Sequence, residues 1–202
     1  MSIYPSAVRE YFLHPLNVGE TRSASCALGD TGSLVCGAAL RLSLQIDADA
    51  RTIPDAKFKA AGCGYLIAAA SVLTEQLKGR KISEAAALIE SSAFANAMIA
   101  ELDGVPPERR HCITLCQQAL AAALDNYHET ARVEWTGDEA LICTCFGVSE
   151  TSIERVIGSL SLRSIEQVTR ACNAGGGCHS CHPLIEDILA DYWRTQAAKG
   201  AG

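Results

Sequence analysis

A chain of 202 residues is long enough to bury a core and admits one domain or two small ones. With 49% hydrophobic but only 5% aromatic residues, that core has to be built from Ala, Leu, Ile and Val, which favours alanine-rich helices. A net charge of −6 without a basic stripe argues against a nucleic-acid partner, because phosphate binding needs clustered Lys and Arg. The N-terminus MSIYPSAVREYFLHP lacks a basic stretch followed by an apolar one, and no run approaches the roughly 18 apolar residues of a spanning helix. The expectation is a cytoplasmic protein without membrane association. Its ten cysteines then point to metal ligation, not to a disulfide framework.

In chain order, SAVREYFLHP predicts a short amphipathic helix ended by Pro15. LRLSLQID alternates Leu40, Leu42, Leu44 and Ile46 with polar residues and predicts a half-buried strand. Ala48 to Arg51 reads as a turn and TIPDAKFKAAG as the paired strand. YLIAAASVLTEQL, from Tyr65 to Leu77, predicts an apolar helix that Gly79 ends, and Ser83 with Glu84 opens another, SEAAALIE. Pro106 and Pro107 precede a long helical run, RRHCITLCQQALAAALDNYH. The polar stretch HETARVEWTGDEA reads as a linker. Beyond it, VSETSIERVIGSL, SIEQVTRAC and PLIEDILADYW each predict a short helix, the first with Ser149 as N-cap.

The cysteines form two groups. In the second, C-x-C at Cys143 and Cys145 is followed after 32 residues by C-x-x-C at Cys178 and Cys181. Two close pairs of thiolates suit a [2Fe–2S] centre, in which each iron takes two protein sulfurs. Gly175, Gly176 and Gly177 add backbone free to approach such a cluster and to aim N–H groups at its sulfurs. A Cys₄ zinc site is the main alternative, and spacing alone does not separate the two. Cys178, Cys181 and His182 also spell C-x-x-C-H, the c-type haem pattern. That reading leaves C-x-C unexplained and needs an export signal that is not seen. His179 and His182 therefore read as polar surface or helix-start residues, and a Rieske arrangement is disfavoured because four cysteines already fill the ligand positions.

The first group is sparser: Cys36 in LVCGA, Cys63 in AAGCGY and Cys112 in RRHCI. Three cysteines make an incomplete tetrahedron, which leaves a coordination position open and suits loading and release. His111, beside Cys112, is the further candidate as a nitrogen ligand. Cys116, one turn after Cys112, reads as an inert buried thiol, and Cys26 and Cys172 have no motif partner.

These residues carry a resemblance over nearly the whole chain. GDTGSLVCGAALRL, FKAAGCGYLIAAASVLTE and VPPERRHCITL resemble the IscU-type iron–sulfur scaffold, while LICTCFGVSE and AGGGCHSCHPLIE resemble the bacterioferritin-associated-ferredoxin-like [2Fe–2S] domain. In this order they are similar to the NifU-type scaffolds of nitrogenase cluster assembly. The resemblance implies an α+β N-terminal domain, with a small antiparallel sheet and packed helices, followed by a small, mainly α-helical [2Fe–2S] domain. The boundaries it suggests are 1–128 for the scaffold domain, 129–140 for a linker and 141–202 for the [2Fe–2S]-binding domain.

The resemblance further implies that Cys36, Cys63 and Cys112 build a transient [2Fe–2S] or [4Fe–4S] cluster, with iron or zinc in the site. Sulfur would come from a NifS-like cysteine desulfurase, and the cluster would pass to apo-acceptors such as the nitrogenase iron protein. Cys143, Cys145, Cys178 and Cys181 would hold a permanent [2Fe–2S] centre. The implied protein is a homodimer that accumulates and transfers a cluster, and is not an enzyme. Two departures stand out: the usual third domain with its own C-x-x-C is absent after Trp193, as in a shorter or truncated member, and Ala38 occupies the position after Cys-Gly where the family normally has aspartate. The competing functions are an electron-transfer [2Fe–2S] protein whose N-terminal domain binds a partner, and a zinc-stabilised interaction module.

Overall fold

The computed structural model describes residues 4–21, 26–47, 50–131 and 139–200. The chain divides into two compact units, Met1–Tyr127 and His128–Gly202.

The first unit opens with α1 (Ser6–Leu13), which stops two residues before Pro15 as expected. An antiparallel sheet follows in the order β1-β2-β3, formed by Cys26–Ser33, Ala38–Asp47 and Thr52–Ala61. The period-two pattern of β2 is realised: Leu40, Leu42, Leu44 and Ile46 are buried and Arg41 is exposed. Ser43 departs from it. It is buried, and its hydroxyl is satisfied by accepting from the Thr21 N–H at 3.1 Å and donating to the Lys57 carbonyl at 3.3 Å. Of the turn expected at Ala48 to Arg51, residues 48–49 lie outside the described residues; Ala50 donates its N–H to the Asp47 carboxylate at 2.8 Å.

Strand β1 was not anticipated, because CALGDTGS has neither clean alternation nor aliphatic β-branched residues. The first of its two glycines, Gly29, has a packing reason. A Cβ on Gly29 would lie 2.0 Å from the carbonyl oxygen of Ala119 and 2.5 Å from the N–H nitrogen of Ala123, both on α5 (His111–Ala131). Sheet and helix thus meet backbone to backbone. Gly29→Ala forces a rigid helix away from the sheet and is expected to cost about 3 kcal/mol, at the upper end of overpacking penalties. Urea unfolding followed by far-ultraviolet dichroism checks this, and an unchanged midpoint would show that the strand and helix separate without penalty.

Helix α2 (Gly64–Leu77) is buried nearly all round, which explains its continuous apolar run. Its two buried hydroxyls are satisfied within the helix, Ser71 to the Ile67 carbonyl and Thr74 to that of Ala70. Gly79, at φ +75°, follows its end as predicted. Ser83 is not the next cap: α3 (Ile82–Ala86) starts earlier, with Lys81 at the N-cap and its N–H donated to the Glu84 carboxylate at 3.3 Å. The helix expected over SEAAALIE is correspondingly short, and turns replace its second half. Helix α4 (Ser92–Glu101) was not anticipated, although Ser91 caps it by accepting the Phe94 N–H at 3.1 Å and Phe94 and Met98 share its buried face. Pro107–Arg109 form a 3₁₀ turn that hands over to α5.

In the second unit β4 (Leu141–Cys143) pairs antiparallel with β5 (Val148–Ser149), a small sheet absent from the expectation. Three helices follow: α6 (Glu150–Leu160), α7 (Ile165–Cys172) and α8 (His182–Gly200). Ser149 caps α6 by accepting the Ser152 N–H at 3.3 Å, as its position suggested. Phe146, Ile153, Ile157, Val168 and Ile185 form the buried interior. Of the segment expected as a linker, α5 occupies residues up to Ala131, and 132–138 lie outside the described residues. Among the described residues no helix is long and apolar enough to cross a membrane.

Candidate metal centres

Three separate elements bring the first cysteine group together at one end of the first unit. Cys36 sits on the exposed turn between β1 and β2, Cys63 is the N-cap of α2, and Cys112 is the second residue of α5, where it is buried. The Cys63 and Cys112 sulfurs are 3.6 Å apart. His111 Nε2 lies 3.6 Å from the Cys36 sulfur and 3.7 Å from that of Cys112. The Glu108 carbonyl, 3.0 Å from His111 Nδ1, can only accept, so Nδ1 carries a proton and Nε2 faces the thiols. A neutral imidazole so oriented is a competent metal ligand.

The three thiols differ in accessibility and acidity. The Cys36 thiol is lowered to about 7 by a hydrogen bond from Ser33, the Ala38 N–H and His111. Burial first, and then the neighbouring Cys63 sulfur, push Cys112 up to about 12. Cys116 lies fully buried behind it, its thiol raised by desolvation, as expected of an inert residue. An open cavity of about 680 Å³ adjoins Cys36 and His111, bordered by Glu108, Arg109 and Leu115. In the metal-free protein, iodoacetamide is therefore expected to alkylate Cys36 with a rate that rises through pH 7 while Cys112 stays unmodified. Peptide mapping across pH 6–9, roughly spanning the thiolate range, checks it.

The second group also converges. Cys143 ends β4, Cys145 lies in the following turn, and Cys178 and Cys181 lie in the loop that leads into α8. The Cys145 and Cys178 sulfurs are 3.5 Å apart, and Cys143 hydrogen-bonds Cys181. The motif pairs C-x-C and C-x-x-C thus cross over, one cysteine of each joining one of the other. Burial and then Cys143 raise Cys181 to about 11, whereas the Ser180 hydroxyl, 2.9 Å from the Cys178 sulfur, lowers that thiol.

The glycines make room. A Cβ on Gly177 would lie 2.9 Å from the Cys145 sulfur, so only glycine lets this backbone lie against the thiol. Backbone lying against the Cys145 thiol and four cysteines in two close pairs fit the donor set that a [2Fe–2S] group would need. Among the described residues, neither cysteine set is already gathered as three or more His, Cys, Asp or Glu side chains around one ion position.

The histidines of the C-x-x-C-H pattern have other engagements. His182 is the first residue of α8, its Nε2 lies 2.8 Å from the Gly175 carbonyl, and its ring stacks on His179 with centroids 4.4 Å apart. Sequence reasoning missed Ser33, Ser180 and Tyr4 near the cysteines. Tyr4 OH accepts the Gly64 N–H at 3.3 Å, and its ring fills the space a Cβ on Gly64 would need. The glycines flanking Cys63 were the one signal for such a close approach.

Comparison with known proteins follows the same two-part division. Residues 3–134 match the family described as NifU-like N terminal domain, and residues 141–191 match the BFD-like [2Fe–2S] binding domain. Proteins named nitrogen fixation protein NifU are similar: that of a Nostoc species is 38% identical over 96% of this chain and 66% of its own length. That of Azospirillum brasilense is 37% identical over 98% and 62%. The iron–sulfur cluster assembly scaffold protein IscU of Haemophilus influenzae is 36% identical over 61% of this chain and 94% of its own. The chain therefore spans about two thirds or less of the NifU relatives' length. A crystal structure of a nitrogen-fixing NifU-like protein (N-terminal) from Brucella abortus, 20% identical, has the same fold with a TM-score of 0.50 over 64% of this chain and 96% of that one.

Proposed function

We propose a scaffold role for this chain, which belongs to the NifU-like N-terminal domain family and carries a BFD-like [2Fe–2S] binding domain behind it. In this reading residues 1–128 assemble a transient cluster on Cys36, Cys63 and Cys112, with His111 as the adjoining nitrogen donor. Residues 129–140 link them to 141–202, where Cys143, Cys145, Cys178 and Cys181 hold a resident [2Fe–2S] group. When bound, that group supplies one-electron chemistry.

The observation that carries the reading is the graded first set. Cys36 stands exposed on its turn beside an open cavity, so an incoming iron or sulfur donor meets it first. Cys63 and Cys112 sit deeper, at the starts of α2 and α5. His111 offers an exchangeable nitrogen between Cys36 and Cys112, its ring held by the Glu108 carbonyl. A site open on one side and anchored on the other suits loading and release. Iron and sulfide are cargo here, the sulfur supplied by a cysteine desulfurase and the product received by apo iron–sulfur proteins, nitrogenase components among them. The working form is a cytoplasmic homodimer.

The test starts from anaerobically purified protein. Iron and sulfide at two each per chain are expected before loading, and ferrous iron with cysteine and a desulfurase should add further visible absorption that an apo-acceptor then removes. Absence of that second increment would reduce the chain to an electron carrier, and zinc without sulfide would make it a zinc-stabilised module.

A further inference from the structure

We propose that His182 is a positioning residue for the [2Fe–2S] centre, clamping together the two arms of the loop that presents Cys178 and Cys181, with Thr169 as its anchor from the preceding helix. The inference rests on the assignment of Cys143, Cys145, Cys178 and Cys181 to that centre and extends it to residues that touch no cysteine sulfur.

The loop leaves α7 through Asn173, in the left-handed region at φ 63°, and runs through three glycines to Cys178. Its first arm is held at two successive carbonyls. Thr169, buried, donates its hydroxyl to the Ala174 carbonyl at 2.6 Å. His182 holds the Gly175 carbonyl at 2.8 Å, and because a carbonyl only accepts, Nε2 carries the proton.

The same ring holds the second arm. Its face stacks on His179, 4.4 Å between centroids at 19°, and the backbone N–H of His182 donates to the His179 carbonyl at 3.0 Å. His179 is itself held at φ +65°, a conformation costly for a residue with a Cβ that needs external support. Gly175 completes the fit: a Cβ there would stand 2.9 Å from the His182 ring, so the glycine is what lets the imidazole seat.

With two carbonyls engaged on one side, the loop backbone is fixed, and Gly177 is delivered against the Cys145 sulfur. Side chains that orient ligands without touching the metal commonly contribute ten- to hundred-fold to its retention. The C-x-x-C-H histidine thus acts on the cluster through the backbone, from the helix start.

The test uses the full chain, purified anaerobically with its centre, and follows bleaching by an iron chelator together with the reduction potential and electron paramagnetic resonance spectrum of the reduced centre. His182→Ala, which loses hydrogen bond and stack, is expected to bleach about tenfold faster or more, with shifted g-values. His182→Phe, which keeps the stack, should fall between it and the native chain. Thr169→Val should resemble it, and Thr169→Ser should restore native behaviour. Trp193→Phe removes a different bond of α8, the 2.8 Å contact to the Leu162 carbonyl, and serves as the control for general loosening. Native bleaching and spectra in His182→Ala, or equal acceleration in Trp193→Phe, would overturn the clamp. A native chain without iron and sulfide would instead overturn the assignment of the centre. If His182→Ala cannot be loaded at all while His182→Phe can, the ring's support of the loop is upheld.

Discussion

Cys63→Ser is expected to abolish accumulation of the transferable cluster while leaving the spectrum of the resident centre unchanged. The serine hydroxyl is a poor ligand for soft iron, and its geometry is that of a residue held at the N-cap of α2, 3.6 Å from Cys112. Cys112 alone is a poor substitute, because its burial keeps its own proton hard to remove. Retention should fall by at least about a hundredfold, the upper end of what even indirect ligand support contributes. Cys36→Ser and Cys112→Ser should have the same consequence. The second cysteine set lies in the other unit, so its absorption provides an internal reference. Unchanged transfer to an apo-acceptor by any of the three variants would remove that cysteine from the site.

Loading should also release protons. A thiol pushed up to about 12 is protonated throughout the physiological range, so metal must displace that proton, and apparent affinity should strengthen as pH rises. Cys36, near 7, adds to this dependence only below about neutrality, where it too is protonated.

The parts of the fold legible in the sequence were those written by local periodicity or by special residues. Leu40, Leu42, Leu44 and Ile46 place β2 because alternate side chains must face one side of a sheet. Ser149 and Gly79 mark helix ends for reasons internal to the helix. What escaped depends on contacts from distant segments. Strand β1 is a strand because β2 pairs along it and because Gly29 lets α5 lie on it, neither of which CALGDTGS reveals. Helix α4 had its signal in Ser91, Phe94 and Met98, but among so many alanines that pattern is short. The same divide runs through the sites. Cysteine spacing separated the two sets, whereas the crossing of the second set into Cys145–Cys178 and Cys143–Cys181 contacts comes from the fold. Likewise the role of His182 depends on a carbonyl seven residues away that only the turn of the glycine loop brings near.

Ala38→Asp is expected to accelerate cluster transfer about tenfold, in the range over which groups beside a ligand set alter retention. Ala38 is the first residue of β2, two positions after Cys36, and is buried. Its Cβ faces Gly62, close enough that a Cβ on that glycine would be 3.5 Å away, and Gly62 immediately precedes Cys63. The side chain at position 38 therefore packs in the fold beside the backbone that leads into Cys63. A carboxylate there has little water to face, so in the metal-free protein it should cost about 1–3 kcal/mol as an unsatisfied buried group. In the loaded protein it competes with the thiolates as an oxygen donor, a weaker match for a soft site. Alanine removes that competitor and leaves the cluster to Cys36, Cys63 and Cys112, which favours retention over release. Ala38→Asn separates charge from size: it should reproduce the packing cost without the acceleration. Timed transfer to an apo-acceptor, alongside the thermal midpoint of the metal-free protein, measures both effects, and transfer by Ala38→Asp at the native rate or slower would show that the residue serves packing alone.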